Sequence, residues 1–332
     1  MSIFIKKMSD VFFLQNYNLS FQITIGNIEL MIAAFGEILF DMYPGEEHLG
    51  GAPFNFIYHI HKLTGGGSII SRIGNDERGK NIQQFLSLKG MDQRFLQIDK
   101  NRSTGTVSVR LNGTGIPTFS IEDEVAYDFI EAPPDFEKEI ELLYFGTLAQ
   151  RSVVSRNALQ QLSGKTRRRF LDMNLRQRYY TPDILQQSFA IADIVKLNLE
   201  ELQTIHPLFF SEPFELKESA QLFLEKFTLS HVAVTMGEGG SWMLMNDESH
   251  FCKTKTDRVV DTVGAGDGFS ALMCLGILRG WPLEQINRTA SEFSTALCGT
   301  KGAVPENDEF YEPYRRLANP DKSGLASLAL VT

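Results

Sequence analysis

The stretch of this chain richest in chemistry runs Asp261-Thr262-Val263-Gly264-Ala265-Gly266-Asp267-Gly268-Phe269-Ser270 and leads into an apolar, helix-like segment, 271–278. Small residues just before a helix let backbone N–H groups converge with no side chain in the way, and the helix N-terminus adds positive potential. Anionic oxygens sit well on such a surface. Asp267 falls in the first turn of the same helix, where the dipole favours its charge, so its pKa is expected to be held down and the carboxylate to be ionised at neutral pH. A carboxylate beside an anion-binding turn suits the transfer of a phosphoryl group to an alcohol. The amides of Gly264, Ala265 and Gly266 would take developing charge while Asp267 accepts the hydroxyl proton. The same residues also read as an ordinary glycine loop with Asp267 as a helix cap, and an isolated GxGD does not decide between the two. Neither GxxxxGK[ST] nor GxGxxG occurs in the sequence.

A scaffold that presents such a loop must end a strand or open a helix there, and the hydrophobic pattern supplies that rhythm. Apolar runs of strand length at 32–43, 68–73, 142–145, 170–173, 194–197 and 232–236 alternate with helix-like segments at 53–63, 78–89, 152–162, 181–191 and 214–227. This alternation predicts an α/β fold with a mostly parallel sheet and helices on both faces. One region departs from it. Residues 104–111 alternate strictly, Asn112-Gly113-Thr114-Gly115 is a turn signal, and 118–121 alternates again, which predicts a β-hairpin serving as a lid or as an edge extension of the sheet.

The 332 residues are 43% hydrophobic and 22% charged, the balance of a globular protein with a sizeable core. A net charge of -9, with no basic stripe beyond 165–169, argues against nucleic acid or an anionic membrane as partner. Three cysteines with no CxxC spacing fit a reducing compartment, and no uncharged apolar run reaches membrane-helix length, so the expected location is cytoplasmic. His59 and His61 are two apart and face different sides of a helix, so no zinc site follows, and neither a GxSxG nor a Cys–His nucleophile is evident. Residues 1–30 read as an extension of uncertain status, 31–310 as the folded domain and 311–332 as a tail, with 325–332 poorly anchored.

Several motifs, in order, give the sequence a resemblance to the ribokinase-like (PfkB) carbohydrate kinases. The DTxGAGD pattern is matched by 261–267; Gly50-Gly51-Ala52-Pro53-Phe54-Asn55 resembles the family's N-terminal glycine pair; Gly74 to Gly79 matches GxDxxG, Asn198 to Glu201 NxxE, and Thr235 to Gly240 TxGxxG. The resemblance spans roughly residues 32–304 and implies a three-layer α/β/α fold, with lid strands at about 39–50 and 104–125. Gly36-Glu37, the GGAPxN form and Asp172-Met173-Asn174-Leu175-Arg176 lean towards fructokinases.

That likeness implies ATP-dependent phosphorylation of a sugar primary hydroxyl, fructose first, with 2-keto-3-deoxygluconate, another sugar or a nucleoside as alternatives, and a non-catalytic sugar-binding regulator as the reading from another class. It implies that Asp41, Gly50, Gly51 and Asn55 hold the sugar together with Asp267. For Asp41 and Asn55, a solvated strand end and a helix cap are the rival readings. Towards the nucleotide it implies Asn174, Lys196, Asn198, Thr235, Gly237, Gly240 and Ser291, beside Gly264 and Gly266, with Arg176 offsetting phosphate charge at the reaction centre. Asn198 and Glu201 would hold Mg2+ mainly through water, with Glu200 as a solvated neighbour. Asp261, Val263 and Cys298 would hold a monovalent cation such as K+, and lids from two subunits would pair in a homodimer. Asp76 and Gly79 are expected to cap and turn rather than to catalyse.

Overall fold

The computed structural model of the protein describes residues 23–25, 28–111, 117–134, 140–254 and 259–318. In chain order its strands are β1 (Ile23–Ile25), β2 (Ile28–Phe35), β3 (Leu39–Tyr43), β4 (Glu46–Gly50), β5 (Ser68–Gly74), β6 (Leu96–Asp99), β7 (Gly105–Leu111), β8 (Pro117–Ile121), β9 (Ile140–Phe145), β10 (Thr166–Asp172), β11 (Ile194–Asn198), β12 (His231–Thr235), β13 (Ser241–Met245) and β14 (Glu248–Cys252). Its helices are α1 (Ala52–Thr64), α2 (Glu77–Leu88), α3 (Val153–Ser163), α4 (Pro182–Ile191), α5 (Leu199–Phe209), α6 (Leu216–Lys226), α7 (Ala265–Leu278), α8 (Leu283–Cys298) and α9 (Asp308–Ala318).

The large sheet has the order β14-β13-β12-β11-β10-β9-β2-β5-β6, with β1 paired to β2. It is parallel from β12 to β6; the β12-β13-β14 edge and the β1-β2 pair are antiparallel. Side chains alternate across it as the pleat requires. Ile32, Ala34, Leu142 and Tyr144 join a core built with α1, α2, α7, α8 and α9, while Ala33, Phe35, Leu143 and Phe145 join one built with α3, α4, α5 and α6. The result is a three-layer α/β/α body. A second, four-stranded sheet, β4-β3-β7-β8, carries the expected hairpin, whose turn at 112–115 lies outside the described residues.

One sequence expectation changes. The run 32–43 is two strands in two sheets, because Gly36 turns the chain with φ +140 and lies so close to α1 that a Cβ there would meet Pro53 at 2.7 Å. The first core strand begins at Ile28 and pairs with β1. In α9, Tyr311 is fully buried and meets His59 Nδ1 at 3.0 Å. Asp76 does cap: it is the N-cap of α2 and accepts the Gly79 N–H at 2.8 Å. None of the described helices is long and apolar enough to cross a membrane.

Candidate active site

α7 begins at Gly264, whose φ of +78 and approach to the Ala303 backbone (2.6 Å from where a Cβ would stand) exclude any side chain. The first N–H groups of a helix have no intrahelical acceptor, so this end presents donors; Ala265 N–H makes a long turn bond to the Thr262 carbonyl, 3.3 Å. Asp267, in the first turn, is only 8% exposed. Its Oδ2 accepts a hydrogen bond from Asn55 Nδ2 at 2.8 Å, joining two motifs 212 residues apart.

The sequence expectation of a depressed Asp267 pKa is overturned. Burial, and after it the charge of Asp172, pushes the carboxyl up to about 7, against the opposing pull of Asn55, Lys196 and Arg176. Desolvation outweighs the helix dipole because the dipole is one partial charge at a helix end, whereas burial removes the whole hydration of the carboxylate.

Asn55 is placed by the glycine pair. Gly51 is the N-cap of α1 with φ +109, and a Cβ on it would come within 2.6 Å of the Glu37 carbonyl. Asn55 donates its N–H to the Gly51 carbonyl and is buried, and its Oδ1 has no partner among the described residues. Such a buried acceptor suits a hydroxyl donor. Gly50 ends β4 against Asp41, whose Oδ2 is 2.8 Å from where a Cβ of residue 50 would stand. Asp41 is half-buried, and desolvation raises its pKa against the field of Arg176 and His48. Glu37, which the sequence reading noted but gave no role, is buried beside them. Burial raises its pKa, against hydrogen bonds from backbone N–H groups and the fields of Arg176 and Arg151.

Arg176 sits on the loop after β10, between Asn174 and Gln177, both in the left-handed region at φ +44 and +47. Its guanidinium is exposed, makes only 3.4 Å contacts to the Leu175 carbonyl and Asn174 Oδ1, and acts on Glu37, Asp41 and Asp267 at once. Asn174 Nδ2 is buried without a partner among the described residues. Lys196 is buried in an ion pair with Asp172, 3.0 Å, and its Nζ lies 2.8 Å from where a Cβ on Gly266 would stand. No role for Asp172 was expected from sequence.

On the far side of the α7 terminus a cleft of about 290 Å³ runs between Thr235, Gly237, Gly240, Ser291, Ala265 and Gly266. Gly240 turns it with φ +101, and Ser291 Oγ lies 2.8 Å from Ser241 Oγ. The glycine loop borders this cleft through Ala265 and Gly266, while Asp267 and Asn55 do not line it.

Two expected ion sites look different in place. Asn198 and Glu201 form a capping box on α5: Asn198 Oδ1 accepts the Glu201 N–H, and Glu201 Oε2 the Asn198 N–H, both at 2.8 Å. Glu201 Oε1 accepts the Leu175 N–H, so both oxygens of the buried carboxyl are engaged, and burial raises its pKa. This donor set fits a magnesium ion only at a distance, through water. Glu200 is exposed. No group of three or more His, Cys, Asp or Glu that could hold a metal exists among the described residues. Asp261 uses Oδ1 on the Val263 N–H and Oδ2 on the Gly302 N–H, closing the loop on itself, while Val263 is exposed. The Cys298 carbonyl accepts the N–H groups of Val260 at 2.7 Å and Asp261 at 3.2 Å, which ties the start of the loop to the end of α8.

The pfkB family carbohydrate kinase pattern matches residues 31–309. A sugar kinase from Pyrococcus horikoshii is 29% identical over 319 residues, 87% of this chain and 98% of its own; its crystal structure, of an uncharacterized sugar kinase, covers 87% of this chain and 99% of that one with a TM-score of 0.71. A fructokinase of Klebsiella pneumoniae is 28% identical over 292 residues, 82% of this chain and 92% of its own. A fructokinase from Vibrio cholerae, in its fructose, ADP and potassium ion bound form, shares the fold at 23% identity and a TM-score of 0.71, covering 85% and 97% of the two chains. The chain belongs to the pfkB family of carbohydrate kinases.

Proposed function

We propose that this carbohydrate kinase transfers the γ-phosphoryl group of ATP to the primary hydroxyl of fructose, with Asp267 as general base. The observation that carries the reading is the position of Asp267. It is buried at the α7 N-terminus, bonded to Asn55 on the sugar side and adjacent to the Gly266 turn that borders the cleft. In the transfer, Asp267 takes the hydroxyl proton as the new O–P bond forms, and the bond to the leaving ADP oxygen breaks. A carboxyl near 7 is a stronger base than an ordinary one and is still largely ionised above that pH. The Gly264–Gly266 turn faces the charge on the phosphoryl oxygens, and Arg176 adds a fork-shaped cation. Asn198 and Glu201 would hold magnesium through water, and the ion would supply charge neutralisation on the phosphates.

On this reading ATP occupies the cleft lined by Thr235, Gly237, Gly240 and Ser291, with Asn174 and Lys196 towards its phosphates. Asp41, the Gly50–Gly51 backbone and Asn55 hold the sugar. Two carboxyls, the buried Glu37 and the half-buried Asp41, line that side and disfavour an anionic substrate, which favours a neutral ketose over 2-keto-3-deoxygluconate. The fructokinase relatives point the same way. The four-stranded sheet acts as the lid, and its edges supply the contact of a homodimer, for which sedimentation mass is the test. Coupled ADP release with ATP and Mg2+, screened over fructose, 2-keto-3-deoxygluconate, ribose and a nucleoside, tests the substrate. Fructose-dependent turnover lost in Asp267→Asn, with sugar binding retained, supports the reading. Tight sugar binding without ADP release in the wild type overturns it in favour of a regulator.

A further inference from the structure

Asp172 and Lys196 are opposite partners in the register of β10 and β11; Asp172 ends β10, and Lys196 lies two residues before the end of β11. Residues so paired put their side chains on the same face of the sheet, and strand C-termini border the ligand crevice in open α/β folds. Asp172 is fully buried and accepts three hydrogen bonds: from Lys196 Nζ at 3.0 Å, from the Tyr144 hydroxyl at 2.9 Å and from Ser270 Oγ at 2.7 Å. Ser270 lies on α7 one turn beyond Asp267, and Lys196 Nζ sits against Gly266. One carboxylate therefore grips the α7 terminus at two places, from within its first turns and through the ammonium beside its glycine. Replacing a buried ion pair by apolar side chains is often neutral or stabilising, so stability alone is a weak account of this one.

We propose that Asp172 is a positioning residue for phosphoryl transfer: through Lys196 and Ser270 it fixes the Gly266 turn and the first turn of α7 as one rigid unit facing Asn55. The proposal rests on the reading of Asp267 as base. Charged and polar groups face Asp267 from every neighbouring element: Asp172 on β10, Lys196 on β11, Arg176 on the loop after β10, Asn55 on α1 and Tyr144 on β9, with Glu201 of α5 acting on Lys196. Asp172 contributes the negative charge of this set and Lys196 a positive one, so their removal acts on the base with opposite sign.

The test is steady-state kinetics and pH profiles of Asp172→Asn, Lys196→Met and Ser270→Ala, beside Asp267→Asn and thermal melts of each. In Asp172→Asn, kcat is expected to fall about a hundredfold while the KM for the sugar moves less than about threefold, the mark of an interaction needed in the transition state. The acid limb of kcat/KM moves to lower pH in Asp172→Asn, to higher pH in Lys196→Met, and stays in place in Ser270→Ala, whose kcat falls about fivefold for the lost hydrogen bond. A residue that merely held the fold would lower the melting temperature without opposed shifts of the limb. Unchanged kcat in Asp172→Asn and Ser270→Ala overturns the proposal. If Asp172→Asn does not fold, Ser270→Ala decides alone, since it leaves the ion pair intact. Full turnover in Asp267→Asn would instead sink the reading of the base, a separate result.

Discussion

Replacing Asp267 by Asn should stabilise the protein at alkaline pH while abolishing turnover. The folded chain holds the Asp267 proton to about pH 7, whereas an unfolded aspartate releases it near 3.8. Between those values the folded state binds more protons than the unfolded one, so wild-type stability falls as pH rises through the window and is constant above it. Each tenfold change in proton affinity is worth about 1.4 kcal/mol, and roughly three such steps separate the two states, about 4 kcal/mol in all. Asparagine is neutral at every pH and retains an oxygen for Asn55 Nδ2, so it escapes this cost. At roughly 2 °C per kcal/mol for a chain of this size, Asp267→Asn should melt about 8 °C above wild type at pH 8 and level with it near pH 4. Calorimetric melts of both proteins across pH 4–8 give the difference directly, with every other titrating group cancelling. A gap independent of pH, or a variant less stable at pH 8, would refute the burial argument and with it the raised basicity assigned to the base.

Three further outcomes follow from individual contacts. Asn55→Leu removes the hydrogen bond that holds the Asp267 pKa down, so the acid limb of kcat/KM should move to higher pH and the KM for the sugar should rise about tenfold or more, read by ADP release against sugar concentration. Gly266→Ala puts a methyl 2.8 Å from a Lys196 ammonium that Asp172 holds in place; kcat should drop by at least about tenfold with sugar binding retained, checked by titration calorimetry. Tyr311→Phe cuts the contact to His59, whose burial lowers its pKa to about 3 and keeps it neutral; about 1 kcal/mol of stability should be lost with kcat untouched, which would show α9 to be structural.

What could be read from sequence was the local chemistry. The glycines at 51, 240 and 264 announce backbone conformations that other residues rarely adopt, and Asp76 announces a cap, because each depends on neighbours within a few positions. NxxE was ambiguous for the same reason. Asn198-x-x-Glu201 is also the spacing of a capping box, and in the folded chain the helix N-terminus takes up both side chains, leaving any ion to the water around them. The Gly36 turn was missed because apolar residues resume at Ile38 after the single Gly36-Glu37 interruption, and the approach of Pro53 shows why the chain must leave one sheet for another.

Long-range electrostatics were illegible by construction. Asp172 and Lys196 are 24 positions apart and become partners only through the parallel register of β10 and β11; Asn55 and Asp267 are 212 apart and meet only because α1 and α7 pack on one face. The sequence shows the helix end on which Asp267 sits, a short-range influence that lowers a pKa. It does not show the burial and the second carboxylate that raise it, and these dominate. The reversed sign leaves the proposed role of Asp267 in place and changes its basicity. An aspartate with a depressed pKa would be a permanently charged, weak base, whereas one near neutrality can take a proton from an alcohol and must be held ionised by Asn55, Lys196 and Arg176 together. Because those three reach Asp267 from three separate segments of the chain, the basicity of the site is a property of the assembled sheet and not of the glycine motif that marks it.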